Sequence, residues 1–218
     1  MSRREPTIED IERFPSLATE ESIRRSRQIA GLAIQCAKIT FDFEEVYRIP
    51  RTPNGERESD VTHSFMLEMA APEIARVLKL PLDRDKIRRF AHVHDMLEIK
   101  VGDVATFDLT PEQFAEKERI EQAALEELLQ ELPEITRQDL EEYELQDTPE
   151  AVFVRMVDKL LPVAVDVVGD GVSGLIEVPG GYGDHVGGLA RFASRLALFQ
   201  EGGGRYSQPV PEVVVIPL

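Results

Sequence analysis

Apolar residues recur every three or four positions along most of this chain, a spacing that predicts amphipathic α-helices. Residues 151–168 are rich in β-branched side chains, so that their pattern fits a strand as well as a helix. Because helical patterns dominate elsewhere, we predict an all-α fold. The predicted helices cover residues 19–38, 61–79, 87–103, 111–132, 136–146, 151–168 and 189–200.

The chain is predicted to form one domain over residues 19–200, which is an ordinary size for a single core. Residues 1–18 are polar and interrupted by two prolines, which predicts a flexible N-terminal arm. Residues 169–188 contain eight glycines and predict a mobile loop. Residues 201–218 predict an extended tail that docks on its own domain or on a partner subunit.

Two places interrupt the helical pattern in the first half of the chain. Residues 48–60 contain prolines and a glycine, which predicts a loop, and this loop carries Arg48, Arg51 and Arg57. Pro72 lies inside the helix predicted over residues 61–79, where it is expected to kink or restart the helix. Thr110 and Pro111 have the residue types that favour a helix start, and Gly102 a helix stop.

Composition narrows the class of protein. The chain is 42% hydrophobic and has no apolar stretch of about 20 residues, the length that a membrane span needs. Its formal net charge is −16 and it has no basic cluster, which argues against a polynucleotide partner. Cys36 is the single cysteine and the N-terminus lacks an apolar signal core, so we expect a reducing, cytoplasmic location.

Ionisable residues occupy core-facing positions of three predicted helices. His63, His94 and Asp158 each fall on an apolar helix face, and Asp95 lies at the edge of one. Burying such groups without partners is costly, so a shared divalent cation is the simplest compensation. Two plainer interpretations compete: a histidine satisfied within the core, and a surface ion pair between Asp158 and Arg155.

The spacing of these residues resembles the HD-domain phosphohydrolase superfamily, whose signature is a His, a downstream His-Asp pair and a distant Asp. The similarity extends to the 5′-deoxynucleotidase-like branch, from about residue 28 to residue 168. The segments that carry it read RIPRTP at 48–53, ESDVTH at 58–63, HDMLEIKVGD at 94–103 and EYELQDTPEAVFVRMVD at 142–158. The resemblance implies an HD-domain helical bundle with the metal site between core helices. The glycine-rich loop over 169–188, the helix over 189–200 and the tail over 201–218 lie outside the match.

The resemblance also implies roles for individual residues. Glu98 and Asp103 match the carboxylates beside the reacting phosphate, and Glu98 is the candidate acid because burial raises a carboxyl pKa. Arg48 or Arg51 matches the arginine that contacts phosphate, and Thr106 is a further candidate substrate contact. The implied ligands of one divalent ion (Mn²⁺, Co²⁺, Mg²⁺, Zn²⁺ or Fe²⁺) are His63, His94, Asp95 and Asp158.

The implied activity is release of phosphate from deoxyribonucleoside 5′-monophosphates by a homodimeric enzyme. Two alternatives remain open: a dNTP triphosphohydrolase or nucleotide pyrophosphohydrolase on the same core, and a nucleotide-binding protein without turnover. His92 is expected at the surface or behind the ligands, because it points away from the face that carries His94. His185, in the glycine-rich segment, receives no role.

Overall fold

The computed structural model describes residues 19–103 and 110–169. This part of the chain is helical apart from one short β-hairpin, which confirms the all-α prediction. The elements run in the order α1 (Glu20–Glu44), β1 (Tyr47–Arg51), β2 (Arg57–Ser59), α2 (Asp60–Val77), α3 (Arg84–Val93), α4 (Glu98–Val101), α5 (Pro111–Glu131), α6 (Glu134–Glu144), α7 (Pro149–Asp158) and α8 (Leu161–Val168).

Short polar side chains begin the helices that later carry the site. Ser59 Oγ accepts a hydrogen bond from the backbone N–H of Thr62 at the start of α2. Asp83 accepts two backbone hydrogen bonds at the start of α3, and Thr148 accepts one at the start of α7. Thr110 begins α5 with a capping box, as its residue type predicts. Each cap satisfies backbone donors that the first helical turn leaves free, which fixes where the helix starts.

The core lies where α2, α3, α6 and α7 meet. Its apolar residues come from the inward face of each helix, so burial follows the helical spacing that the sequence shows. The ring centroids of Phe90 on α3 and Tyr143 on α6 are 5.7 Å apart. Burying each large apolar side chain contributes roughly 1.5–3 kcal/mol. The fully buried members include Leu67, Ile87, Phe90, Leu140, Phe153, Val154 and Val157.

The prediction of one helix over residues 87–103 is wrong in its middle. Helix α3 ends at Val93 and α4 begins at Glu98, with tight turns between them: Met96 N–H donates to the Val93 carbonyl at 3.0 Å. Successive residues of an α-helix point about 100° apart. Leaving the helix at His94 lets the chain aim His94 and Asp95 at the same point. The predicted stop at Gly102 is confirmed, since Gly102 ends α4 at φ 72°.

The predicted helix over residues 151–168 is also two helices. Asp158 is the last residue of α7, and α8 begins at Leu161. Pro162 lies in the first turn of α8, where its missing N–H costs nothing, whereas inside a continuous helix it would break a hydrogen bond. The strand alternative for this segment is wrong. The interruption places Asp158 at a helix end beside the core.

The loop predicted over residues 48–60 is instead a hairpin that ends at Ser59, and Asp60 begins α2. Strands β1 and β2 pair antiparallel, with Tyr47 opposite Ser59 and Arg51 opposite Arg57. Gly55 takes φ 86° in the connecting turn and donates to the Thr52 carbonyl at 2.8 Å. A proline-containing strand this short gives little alternation to recognise in the sequence.

Helix α1 is longer than predicted, because it continues to Glu44. The apolar side predicted to face inward lies largely in solvent, and Ile29 and Ile34 are 67% and 71% exposed. Only Phe43, near the helix end, is buried in the core. Helix α2 runs through Pro72 from Asp60 to Val77, so the predicted restart is wrong.

Several predictions fall outside the described residues. These are the N-terminal arm over 1–18, the glycine-rich loop beyond Gly169, the helix over 189–200 and the tail over 201–218. Within residues 19–103 and 110–169, none of the helices combines the length and the hydropathy that crossing a membrane requires.

Candidate functional site

The four predicted ligands meet at one point between the core helices. His63 lies in the first turns of α2, His94 and Asp95 directly follow α3, and Asp158 ends α7. One donor atom from each side chain lies within 4.8 Å of the other three. We refer to these four residues as the ligand cluster. The plain ion pair between Asp158 and Arg155 is not what forms: Asp158 is 3% exposed, and His63 Nε2 lies 3.0 Å from its Oδ1.

Hydrogen bonds orient both imidazoles of the ligand cluster. His94 Nδ1 lies 2.9 Å from the Ala91 carbonyl oxygen, so that Nδ1 carries the proton and donates it. His63 Nδ1 lies 3.3 Å from the buried carboxylate of Glu58. In each case Nε2 faces the cluster. Partners of this kind hold a metal-binding imidazole in the right tautomer and orientation.

Burial and neighbouring charge oppose each other at the ligand cluster. Burial lowers the pKa of His94, but Asp95 and Asp158 beside the ring raise it to about 10. Burial raises the pKa of Asp95, and His94 lowers it to about 2. The pKa of Asp158 lies well below its usual range, because Lys159, His63 and His94 outweigh its burial. The protein interior therefore holds two ionised carboxylates that require cationic compensation.

The donor set fits a divalent metal ion. Two imidazole nitrogens and two carboxylate oxygens suit borderline to hard ions. Donors each about 2.1 Å from a common ion lie at most about 4.2 Å apart. The donor atoms here lie within 4.8 Å of one another, so side-chain shifts of a few tenths of an ångström bring them to that distance. His94 Nε2 is buried and makes no well-directed hydrogen bond, although it lies 2.9 Å from Asp95 Oδ2. Asp95 and Asp158 favour positive charge at this nitrogen, which either a proton or a bound cation supplies.

The hairpin separates the two candidate phosphate arginines. Alternation along β1 turns Arg48 and Pro50 inward and Tyr47, Ile49 and Arg51 outward. The Arg48 guanidinium contacts Asp95, lies 3.2 Å from Asp60 Oδ1 and lies 3.8 Å from Asp158 Oδ1. Its side chain is 11% exposed.

Arg51 and Arg57 serve the hairpin instead. Arg51 points to the turn, where it donates to the Gly55 carbonyl at 2.8 Å. Arg57 donates to the backbone carbonyls of Tyr47 and Arg48, both at 2.7 Å. Arg48, by contrast, contacts the ligand cluster through ion pairs with Asp95 and Asp158.

Two carboxyl groups, Asp60 and Glu98, face each other beside the ligand cluster, and we call them the carboxylate pair. Together with Asp95 they offer oxygens within 4.8 Å of one another. Burial, Asp95 and Asp60 raise the pKa of Glu98 to about 10, and burial raises that of Asp60. Asp60 Oδ2 and Glu98 Oε2 have no conventional donor, which fits a proton held between the two groups. Asp103 follows α4 and adds to the upward shift at Glu98.

Three further residues at the site were not predicted from the sequence: Glu58, Asp60 and Lys159. Glu58 and Asp60 are fully buried, and Lys159 Nζ lies 2.7 Å from Asp158 Oδ2. A strand over 57–59 would have signalled the inward side chain of Glu58. Nothing in the sequence marks Asp60, because an acidic residue in the first turn of a helix is common for electrostatic reasons alone.

An open cavity of about 670 Å³ borders the site. His94, Asp95 and Glu98 line it on one side, and residues of α5 line it on the other. This volume lies within the roughly 300–1,000 Å³ typical of small-molecule sites. The cavity gives a ligand bound at the cluster room for a larger attached group.

The remaining predictions concern Thr106, His185 and His92. Thr106 is outside the described residues, as is His185. His92 is on the surface, as predicted, with 60% of its side chain exposed and Nδ1 3.8 Å from Glu68 Oε2.

Relatives in other organisms resemble part of the chain. It is 40% identical over 124 residues to human 5′-deoxynucleotidase HDDC2, covering 53% of this chain and 58% of the human protein. The mouse protein of the same name is 39% identical, with 53% and 60% covered. The match thus spans under two thirds of these relatives' lengths.

A solved structure and a family model also match this chain. A crystal structure from Magnetospirillum magnetotacticum MS-1, described as a predicted metal-dependent phosphohydrolase, superposes with a TM-score of 0.59 at 22% identity, covering 81% of this chain and 93% of that one. At that identity the likeness concerns the fold. The family model described as HD domain matches residues 44–173, a range that contains the hairpin, the ligand cluster and the carboxylate pair. The chain therefore belongs to the HD domain family.

Proposed function

We propose that this protein is a divalent-metal-dependent phosphomonoesterase that releases phosphate from deoxyribonucleoside 5′-monophosphates. The observation that carries the proposal is the meeting of two imidazoles, two carboxylates and one arginine at a single buried point. The names of the human and mouse relatives support the substrate class. The proposal includes one metal ion per chain, a homodimer and a cytoplasmic location.

His63, His94, Asp95 and Asp158 would hold the ion. A divalent ion bound there supplies Lewis acidity, which polarises a phosphoryl oxygen and makes a nearby water more acidic. With Asp95 and Asp158 engaged as ligands, the Arg48 guanidinium would have N–H donors for the non-bridging oxygens of the phosphate, which it matches in geometry.

Glu98 and Asp103 divide the proton transfers in this proposal. Glu98 keeps its proton near neutral pH, because burial and two neighbouring carboxyl groups raise its pKa. It therefore suits donation to the departing 5′-oxygen. Asp103, a partly exposed carboxyl group that follows α4, takes the opposite task of orienting and deprotonating the attacking water.

One product analysis tests the proposal. The full-length protein is incubated with each common deoxyribonucleoside mono- and triphosphate, with Mn²⁺, Co²⁺, Mg²⁺, Zn²⁺ or Fe²⁺ added separately. We expect inorganic phosphate and nucleoside from the monophosphates. Release of triphosphate or pyrophosphate would replace this function with the alternative reaction on the same core. The Glu98→Gln variant, which retains the four ligands, is the matched control for contaminating phosphatases.

A further inference from the structure

The cavity beside the ligand cluster has two chemically different walls. The wall at the cluster carries His94, Asp95 and Glu98. The opposite wall belongs to the first turns of α5 and contains a single lysine, Lys117, and three glutamates, Glu112, Glu116 and Glu121. Lys117 is already paired with Glu121 at 2.7 Å.

The lining of the cavity also includes apolar side chains. Leu97 and Val101 border the cavity from the α4 side, and Ile120 borders it from α5. Ile120 is 47% exposed, as a residue lining an open cavity would be. Apolar side chains facing each other across a gap offer contact to the flat face of an aromatic ring.

The charge of the α5 wall disfavours anions. Its own backbone N–H and the side chain of Thr110 lower the pKa of Glu112, and Arg119 lowers that of Glu116, so both are ionised at neutral pH. Arg119 donates to both carboxylate oxygens of Glu116, at 2.9 and 2.7 Å, and partly offsets its charge. The three glutamates of this wall still outnumber the two cations paired with them, Lys117 and Arg119. A phosphate at the ligand cluster is compensated by Arg48 and by the ion proposed there. A second or third phosphate directed into the cavity would instead lie next to the carboxylates of α5. Like charges this close repel each other, because salt largely screens them only beyond about 10 Å at 0.1 M.

We infer that this cavity receives the uncharged nucleoside part of the substrate, and that the glutamates of α5 select monophosphates against polyphosphates. The inference rests on the proposed function and adds two determinants to it. Ile120 contacts the base or sugar, and Glu116 repels additional phosphate groups. Neither residue belongs to the ligand cluster or to the carboxylate pair.

Equilibrium binding at a fixed free Mn²⁺ concentration tests the inference without requiring turnover. Isothermal titration calorimetry measures the affinities for inorganic phosphate, dAMP and dATP of the full-length protein carrying Glu98→Gln, which keeps the four ligands but lacks the transferable proton and so does not consume dAMP during the titration. In this background we expect dAMP to bind tighter than both other probes, and the Ile120 and α5 substitutions are added to it. For Ile120→Asp we expect dAMP binding about tenfold weaker, since apolar contact is lost and a charge is added, with phosphate binding nearly unchanged.

Charge reversal on α5 provides the second arm. Glu116→Lys should strengthen dATP binding about fivefold relative to dAMP, because it replaces a repulsive charge with an attractive one near a partly solvated ligand. Glu118→Lys is the matched control: it makes the same charge change on the same helix at an exposed residue outside the cavity lining. It should leave the ratio of dATP to dAMP affinity within about twofold.

The outcomes separate this inference from the proposed function. Equal binding of dATP and dAMP by the Glu98→Gln protein, or equal weakening of phosphate and dAMP on adding Ile120→Asp, overturns the cavity assignment even if the original protein releases phosphate from dAMP. An effect of Glu118→Lys as large as that of Glu116→Lys also overturns it. If the binding pattern holds but no phosphate is released, the cavity assignment stands and the proposed function fails.

Discussion

The ligand cluster and the carboxylate pair are adjacent, yet they solve the cost of burying charge in opposite ways. In the ligand cluster, each carboxylate lies beside an imidazole and near the Arg48 guanidinium, and the pKa of Asp95 falls to about 2. In the carboxylate pair, two acids face each other, and the pKa of Glu98 rises to about 10. One arrangement favours a cation and the other favours a proton. The same residue types thus prepare two different chemical tasks a few ångströms apart.

Removing Asp158 should produce the largest effect, because it deletes a charged member of the ligand cluster. Asp158→Ala is expected to weaken binding of the divalent ion more than about 100-fold and to abolish the rise in melting temperature that added metal causes. Elemental analysis and thermal melts with and without metal measure both. Glu150→Gln, on the same helix and also buried, is the control and should retain metal. A full equivalent of metal in Asp158→Ala contradicts the assignment.

Glu98→Gln tests the other half of the comparison. The variant keeps the size of the side chain and removes the transferable proton, so kcat should fall about 10²–10⁴-fold while the metal content stays near one equivalent. Asp103→Asn is expected to behave similarly, since it removes the partner in proton transfer. Steady-state kinetics and metal analysis on the same samples measure the two properties. Near-normal turnover in both variants excludes the proposed acid–base roles.

Arg48→Ala and Arg51→Ala should differ, although the two residues are three positions apart. A lost hydrogen bond to a charged group costs roughly 1.5–3 kcal/mol, so Arg48→Ala should lower kcat/KM about ten- to a hundredfold. Arg51 points to the hairpin turn, and its loss should change kcat/KM less than about threefold. Kinetics with a monophosphate substrate compare them. The reverse order of effects would show that the inward face of β1 does not contact substrate.

Asp60→Asn should have a smaller effect than the loss of Asp158, Glu98 or Arg48, and it tests where the ligand cluster ends. It keeps the shape of the residue and weakens the anchor of Arg48, so we expect a loss of about three- to tenfold in kcat/KM with metal retained. Calorimetric titration with Mn²⁺ measures the retention. Loss of metal in Asp60→Asn would mean that Asp60 belongs functionally to the ligand cluster, and the division into two regions would not hold.

Helical periodicity predicted much of the fold and located the ligand cluster. His63, His94 and Asp158 were recognisable because each interrupts an apolar face, and burial on such a face has a cost that the sequence makes visible. Thr110 and Pro111 marked the start of α5 because helix capping depends on local residue type. These features are encoded within a few neighbouring residues.

Features that depend on distant contacts were not predictable in the same way. Arg48 and Arg51 were indistinguishable as long as residues 48–60 were taken for a loop, and the alternation of β1 separates them. The exposed position of Ile29 and Ile34 on α1 also escaped prediction, because periodicity identifies an apolar face without showing what covers it. Asp60 escaped because its importance arises from Arg48 and Glu98, which are remote in sequence.

Helices α3 and α7 begin next to each other, where Glu150 Oε1 accepts a hydrogen bond from Asp83 N–H at 3.0 Å. Both helices are ten residues long, and they end next to each other, with His94 Nε2 3.7 Å from Asp158 Oδ1. Each helix is about 15 Å long, and the two start side by side, so both reach the site over the same distance. An insertion of one residue in either helix would move the ligand at its end by about 1.5 Å and turn it by about 100°. Chain length between Asp83 and His94, and between Thr148 and Asp158, is consequently as strict a requirement for this site as the identity of the ligands themselves.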